Sequence, residues 1–274
     1  MLKRKEKMTE LRKFQLRTLK ILIEVDEFLK TNKLQYFLLY GTTLGAVRHK
    51  GFIPWDDDID IGLYRKDFEK MEEIIVGKLP KKLLYCRIGE NKFPDAPIGY
   101  LYDISNKEER LKDAPKVDIF VIDNVPQNKI LRNIQRVFVY IYHLCVYRRA
   151  AKNKGKLLYC ITKLIITIIP NTFLDIIQRI SKKVITYWNK NETKYVGNLL
   201  AGSGERKDVR LRADFRNGVL FTFEGREYII PKNYDKYLTQ LYGNYMSFPP
   251  LEEQKPSHKL WLDNVKHANT EERL

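Results

Sequence analysis

Apolar residues in the first thirty positions recur at helical spacing. Leu11, Phe14, Leu22, Val25 and Leu29 fall on one face, which predicts a long helix over residues 9–31 that ends near Asn32. The period then shortens. Gln35 to Tyr40 reads as a strand, Gly41 as a tight turn, and Thr42 and Thr43 as caps of a short helix running to Arg48. The run GFIPWD turns the chain into a strand around Ile59, where the two-residue period sends Ile59 and Ile61 to one face and Asp58 and Asp60 to the other. Phe68, Met71 and Ile75 predict a helix over 65–79, while 83–88, 98–102 and VDIFVID (117–123) predict three more strands. Asp123 reads as a turn residue before Asn124 and Pro126. Near the C-terminus, 219–230 alternates about Glu224-Gly225 as a hairpin, and 233–242 reads as a helix before Pro249-Pro250.

From 130 to 180 the pattern is different, with two apolar, helix-spaced stretches separated by a basic segment that holds Arg148, Arg149, Lys152, Lys154 and Lys156. Such a pair can rest its apolar stripes on an anionic bilayer or pack them against the rest of the chain. The thirteen residues Leu157–Ile169 would reach only about 20 Å as a helix, short of a hydrocarbon core of about 30 Å, so the segment is expected to be buried or interfacial and not to span.

The 274 residues suit one catalytic domain with a helical elaboration: a core over 1–129, a helical insertion over 130–190, and a hairpin and helix over 191–274 that complete the core. Fifty Lys and Arg against 34 Asp and Glu give a net charge of +16, which implies an anionic partner. Cys86, Cys145 and Cys160 are odd in number and lack CxxC spacing, which argues against structural zinc and a disulfide framework. The basic start MLKRKEKMTELRK runs into an amphipathic pattern without the apolar stretch of a signal peptide. The expected location is therefore cytoplasmic, peripheral at the inner face of the plasma membrane.

The chemistry concentrates in the run from Tyr40 to Gly62. Asp56, Asp57, Asp58 and Asp60 cannot all be ionised together without a counter-charge, and same-face carboxylates two residues apart on a strand can grip a divalent cation. Hard oxygen ligands suit Mg²⁺ or Mn²⁺. Asp118, set among Val117, Ile119 and Phe120, is a third carboxylate whose charge is costly unless it meets a cation. The helix start at Gly41, Thr42 and Thr43 offers backbone N–H groups to phosphate, with Arg48 and Lys50 as the nearest cations. Asp56, His49, Arg206 and His258 are further candidates for the same site.

GTTLGAVRHKGFIPWDDDIDIG, VDIF and PKNYDKYLTQLYGNYMSFPP together resemble the LicD-type phosphotransferases, relatives of fukutin and fukutin-related protein in the polymerase-beta-like nucleotidyltransferase superfamily. The resemblance implies an α+β fold with a nucleotidyltransferase-like mixed sheet flanked by helices, here carrying a basic, apolar helical insertion. It further implies transfer of a phospho-substituent such as phosphocholine from a CDP-linked donor to a glycan hydroxyl, with release of CMP. By position, Gly41 and Thr42 correspond to the superfamily's phosphate turn, Asp58 and Asp60 to its DxD, and Asp118 to its third carboxylate. A lipid-linked cell-envelope glycan would be the acceptor, and no nucleic-acid partner is expected. Two other classes share these features: a nucleotidyltransferase moving a nucleoside monophosphate to RNA, protein or sugar, and a non-catalytic membrane- or glycan-binding protein.

Overall fold

The computed structural model describes residues 8–87, 99–150, 155–201 and 208–256. Helix α1 (Glu10–Thr31) starts where the Thr9 hydroxyl accepts the Arg12 N–H at 3.2 Å, and it buries Ile21, Leu22, Val25 and Leu29 against the sheet. That sheet has seven strands: β1 (Tyr36–Leu38), β2 (Ile59–Tyr64), β3 (Leu83–Cys86), β4 (Gly99–Asp103), β5 (Lys116–Val125), β6 (Tyr195–Gly197) and β7 (Val209–Leu211). Their order is β1-β2-β5-β4-β3, and β6, with β7 beside it, joins the far end of β5. Only β2 and β5 pair in parallel, so the sheet is mixed and the fold is α+β as expected.

The two-residue period sorts the strands' side chains. Ile59, Ile61 and Leu63 of β2 and Val117, Ile119 and Val121 of β5 enter one core with α1 and with Phe68 and Met71 of α3 (Arg65–Ile74). The opposite face of the sheet carries a second core, in which Phe37, Leu39, Leu44 and Ile122 meet Tyr237 and Leu238 of α7 (Tyr234–Tyr242). Asp60 and Asp118 have the parity of this second face and lie near the starts of their strands.

The hairpin β8 (Val219–Phe223) and β9 (Arg226–Ile230) turns through Glu224 and Gly225, both at positive φ, and adds Phe223, Tyr228 and Ile230 to the first core. Glu224 accepts two bonds from Arg12, at 2.9 and 2.6 Å, and one from the Phe52 N–H at 3.2 Å. The hairpin thereby clips the loop that leads into β2 onto α1.

The insertion comprises α4 (Lys129–Tyr147), α5 (Lys156–Ile168) and α6 (Asn171–Thr186). Val139, Tyr142 and Ile185 of α4 and α6 share a small core with Val125, Leu199 and Leu200, whereas α5 buries only Thr162. No single helix among the described residues is long and apolar enough to cross a membrane.

Some local expectations change. The helix after β2 stops at Ile74, β3 stops at Cys86, and the three-residue strands β6 and β7 were not anticipated. Ile88 and Ile98 lie outside the described residues. Asp123 is not a turn residue: it sits inside β5, fully buried, where Arg65 grips it at 2.8 and 2.9 Å and Asn189 donates to it at 2.7 Å. A buried carboxylate this well paired holds the strand ends together and is closed to solvent.

Candidate active site

Parallel pairing of β2 and β5 puts Asp60 directly opposite Asp118. Asp58, in the loop entering β2, completes a group in which Asp58, Asp60 and Asp118 each offer a carboxylate oxygen, all within 4.8 Å of one another. Asp56, Asp57 and Asp58 form a second group by the same measure, so Asp58 belongs to both.

The adjoining helix α2 (Tyr40–His49) begins two residues earlier than its threonines suggest. Its N-cap is Leu39, which provides no side-chain cap, and the left-handed residue is Tyr40, at φ 45, in place of Gly41. Gly41 serves another purpose: a Cβ there would lie 2.8 Å from Asp56 Oδ2, so the glycine leaves room for that carboxylate beside the helix start, and a larger residue would have to displace it. Neither threonine caps the helix. Thr42 Oγ1 accepts the Asp60 N–H at 2.8 Å, and Thr43 Oγ1 donates to the Leu38 carbonyl at 2.7 Å. With the Leu39 N–H on the Asp60 carbonyl at 2.9 Å, these bonds lace the start of α2 to β2 and, through Thr43, to the end of β1. The Tyr237 hydroxyl accepts the Tyr40 N–H at 3.1 Å, which leaves the next backbone N–H groups of the first turn for an anion.

Packing carboxylates this closely shifts their protonation. Burial, then the charges of Asp58 and Asp118, hold Asp60 well above the ordinary carboxylate range, although Lys116 pulls in the other direction. Asp56 is pushed up to about 8 by burial, then by Asp58 and Asp57. Lys116 is the internal counter-charge, with its ammonium on Asp118 Oδ1 and 5.0 Å from the centre of the Tyr100 ring. Burial would lower its pKa, but Asp118, Asp58 and Asp60 raise it on balance, so it is a cation. Sequence reading passed over Lys116, although two residues before Asp118 on a strand is the same face.

A cleft of about 700 Å³ opens over this cluster. Asp56, Asp58 and Asp60 form its acidic floor, Tyr40, Trp55, Tyr242, Tyr245 and Phe248 its aromatic walls, and Glu253 and Lys255 part of its rim. Burial first, then Asp60 and Asp56, raise the Tyr242 phenol, so it is a neutral hydroxyl over the carboxylates. These aromatics were also missed; PKNYDKYLTQLYGNYMSFPP carried the signal in its tyrosines and Phe248.

Arg48 lines the cleft, but its guanidinium is engaged. It donates to the carbonyls of Tyr245 (2.7 Å) and Ser247 (3.1 Å) and sits 4.8 Å from the centre of the Phe248 ring, so it anchors the 243–248 loop. His49 accepts from Arg48 Nε at 2.9 Å, and burial, then Arg48, lower its pKa; it is a neutral spacer against Trp55 and Phe248. Lys50 is the left-handed C-cap of α2, at the opposite end of the helix from Gly41, and is not part of the cleft lining. Arg206 and His258 lie outside the described residues.

A mixed sheet with paired-strand carboxylates under a helix start is consistent with a nucleotidyltransferase-like fold. Residues 33–143 match the LicD/FKTN/FKRP nucleotidyltransferase-domain family. Over 265 residues the chain is 29% identical to the lipopolysaccharide cholinephosphotransferase LicD of Haemophilus influenzae, a match that covers 92% of this chain and 97% of that protein. Human ribitol 5-phosphate transferase FKRP is 45% identical over 40 residues, 15% of this chain and 8% of its own length. An uncharacterized protein of Rickettsia typhi is 44% identical over 70 residues, 25% of this chain and 21% of that one. The chain is thus similar to the LicD family, over residues 33–143 to its nucleotidyltransferase domain and over nearly its whole length to a LicD cholinephosphotransferase, and these matches support a phosphotransferase enzyme.

Proposed function

We propose that this enzyme transfers a phosphocholine-like substituent from a CDP-linked donor to a hydroxyl of a lipid-linked cell-envelope glycan and releases CMP. The observation that carries the reading is the convergence of Asp58, Asp60 and Asp118 beneath an aromatic-walled cleft. The Haemophilus relative supports the transferred group by its name and by its near full-length match. The aromatic walls support it independently, since faces of Trp, Tyr and Phe attract a quaternary ammonium.

The donor set fits a divalent cation. It is made of hard carboxylate oxygens, it includes Asp60, whose pKa burial and then Asp58 and Asp118 raise, and its own counter-cation, Lys116, is a single ammonium. Asp58, Asp60 and Asp118 would hold Mg²⁺ or Mn²⁺, which supplies charge neutralisation on the donor pyrophosphate. The chain's residues do the rest. N–H groups at the start of α2 receive a donor phosphate, the Thr42 and Thr43 hydroxyls keep that start fixed on β2 and β1 respectively, and Lys116 orients the Asp118 carboxylate. The acceptor oxygen forms a new bond to the phosphorus that carries the alcohol, the bond from that phosphorus to the CMP oxygen breaks, and Asp118 takes the hydroxyl proton.

The test is a donor panel. Purified protein is incubated with CDP-choline, CDP-ribitol or CDP-glycerol, extracted envelope glycolipids and Mg²⁺, and CMP is quantified. Acceptor-dependent CMP release, greatest with CDP-choline, is expected. Pyrophosphate release from a nucleoside triphosphate, with no CMP from any CDP-alcohol, would replace this reading with nucleotidyl transfer.

A further inference from the structure

The insertion is not needed to build the carboxylate cluster, and its surface is unlike the rest of the molecule. Along α5, Leu157, Ile161, Leu164 and Ile168 recur at intervals of four, three and four residues, one continuous stripe, and are 76%, 45%, 59% and 66% exposed. The neighbouring helices repeat the pattern, with Ile130, Ile134 and Val137 exposed on α4 and Phe173, Ile176 and Ile180 on α6. Apolar surface on this scale is covered by something when the protein works.

Charge identifies the cover. Residues 129–190 contain thirteen Lys and Arg and a single carboxylate, Asp175, which Arg148 holds at 2.5 Å. Lys156 and Lys163 stand exposed on α5 itself. A second copy of the chain would bring like charge against like charge at this face. An anionic bilayer meets both requirements: headgroups for the cations, and the boundary of the acyl region for the stripe. The thirteen-residue α5, about 20 Å long by a rise of about 1.5 Å per residue, is too short to span the hydrocarbon and suits lying in the plane of the interface. We infer that the insertion is a membrane-docking element in which α5 lies in the headgroup region of an anionic leaflet with Leu157, Ile161, Leu164 and Ile168 facing the acyl chains.

Vesicle flotation of the full chain tests this. Wild-type protein is expected to float with vesicles of phosphatidylcholine and phosphatidylglycerol at least about tenfold better than with phosphatidylcholine alone, and to be released by high salt in part. The combined variant Leu157→Ser, Ile161→Ser, Leu164→Ser, Ile168→Ser should lose at least about tenfold of that binding, by the cost of removing apolar surface from the interface. Circular dichroism and the melting curve establish that this variant is folded. Cys160 is the exposed cysteine on α5, whereas Cys86 and Cys145 are buried, so an environment-sensitive fluorophore on Cys160 reports the helix without any substitution. Its emission should shift to the blue with anionic vesicles. The inference is overturned if the wild type stays unbound on anionic vesicles and its fluorophore does not shift, if the folded variant floats as the wild type does, or if light scattering shows a wild-type dimer that the variant abolishes.

Discussion

In the sheet core, charge is buried and apolar surface is covered. Asp60, Asp118 and Asp123 are 8%, 7% and 0% exposed, while Ile59, Ile61, Val117 and Ile119 are wholly enclosed. The helical segment inverts both choices, leaving Leu157 and Ile168 in solvent and carrying one carboxylate against thirteen Lys and Arg in the sequence from 129 to 190. Water explains neither arrangement. Asp123 has its cation in Arg65, but the clustered carboxylates Asp58, Asp60 and Asp118 are costly to bury unless a further cation arrives, and exposed apolar stripes are costly unless a surface does. On the readings proposed above, the core would take a small charged ligand in a fixed geometry and the helical segment an extended face.

The contrast can be broken most sharply at the carboxylates. Asp60→Asn and Asp118→Asn should each lower turnover by about a thousandfold or more, roughly 4 kcal/mol of transition-state stabilisation, in a CMP-release assay. Loss of one stripe residue, as in Leu164→Ser, should leave turnover with a water-soluble acceptor unchanged. Stability separates the regions next. Asp123→Ala strands the Arg65 guanidinium in the interior and should cost about 3–5 kcal/mol in urea unfolding, against about 0.5 kcal/mol or less for Leu164→Ser.

Lys116→Met removes the ammonium that competes for Asp118. Divalent-ion affinity should rise by roughly fivefold, about 1 kcal/mol, in a calorimetric titration, and weaker binding would mean that Lys116 organises the site more than it competes. A further test concerns pH. The Asp56 carboxyl is raised from 3.8 to about 8, so the folded chain binds more protons than the unfolded one between those values. Its stabilising contribution is complete below the ordinary carboxylate pKa and is lost as pH rises towards 8. Without metal, the wild type should therefore lose melting temperature over that interval more steeply than Asp56→Asn; equal slopes would contradict the assignment.

The convergence of the carboxylates was readable because it depends on short-range rules. A two-residue period put Asp58 and Asp60 on one face, and an aspartate within the apolar run VDIF pointed to a third strand position. The long helix α1, the β8–β9 hairpin and α7 were readable for the same reason. What escaped depended on distant partners or on special backbone. Asp123 looked like a turn residue because its partner Arg65 is 58 positions away and β5 continues to Val125. Thr42 and Thr43 looked like caps because a glycine ordinarily marks the left-handed residue, whereas Tyr40 takes that conformation here and the hydroxyls turn to β2 and to Leu38. Lys50 is near Gly41 in sequence, but a helix carries it to the far end. Strands β6 and β7, at three residues each, are too short for any period to register.

The most direct test of the central claim is a Mn²⁺ titration of the purified protein followed by electron paramagnetic resonance. The wild type should remove Mn²⁺ from the free-ion signal in a saturable way that Mg²⁺ reverses, and the folded combined variant Asp58→Asn, Asp60→Asn, Asp118→Asn should leave the signal untouched. Saturable binding that persists in that variant would contradict the account.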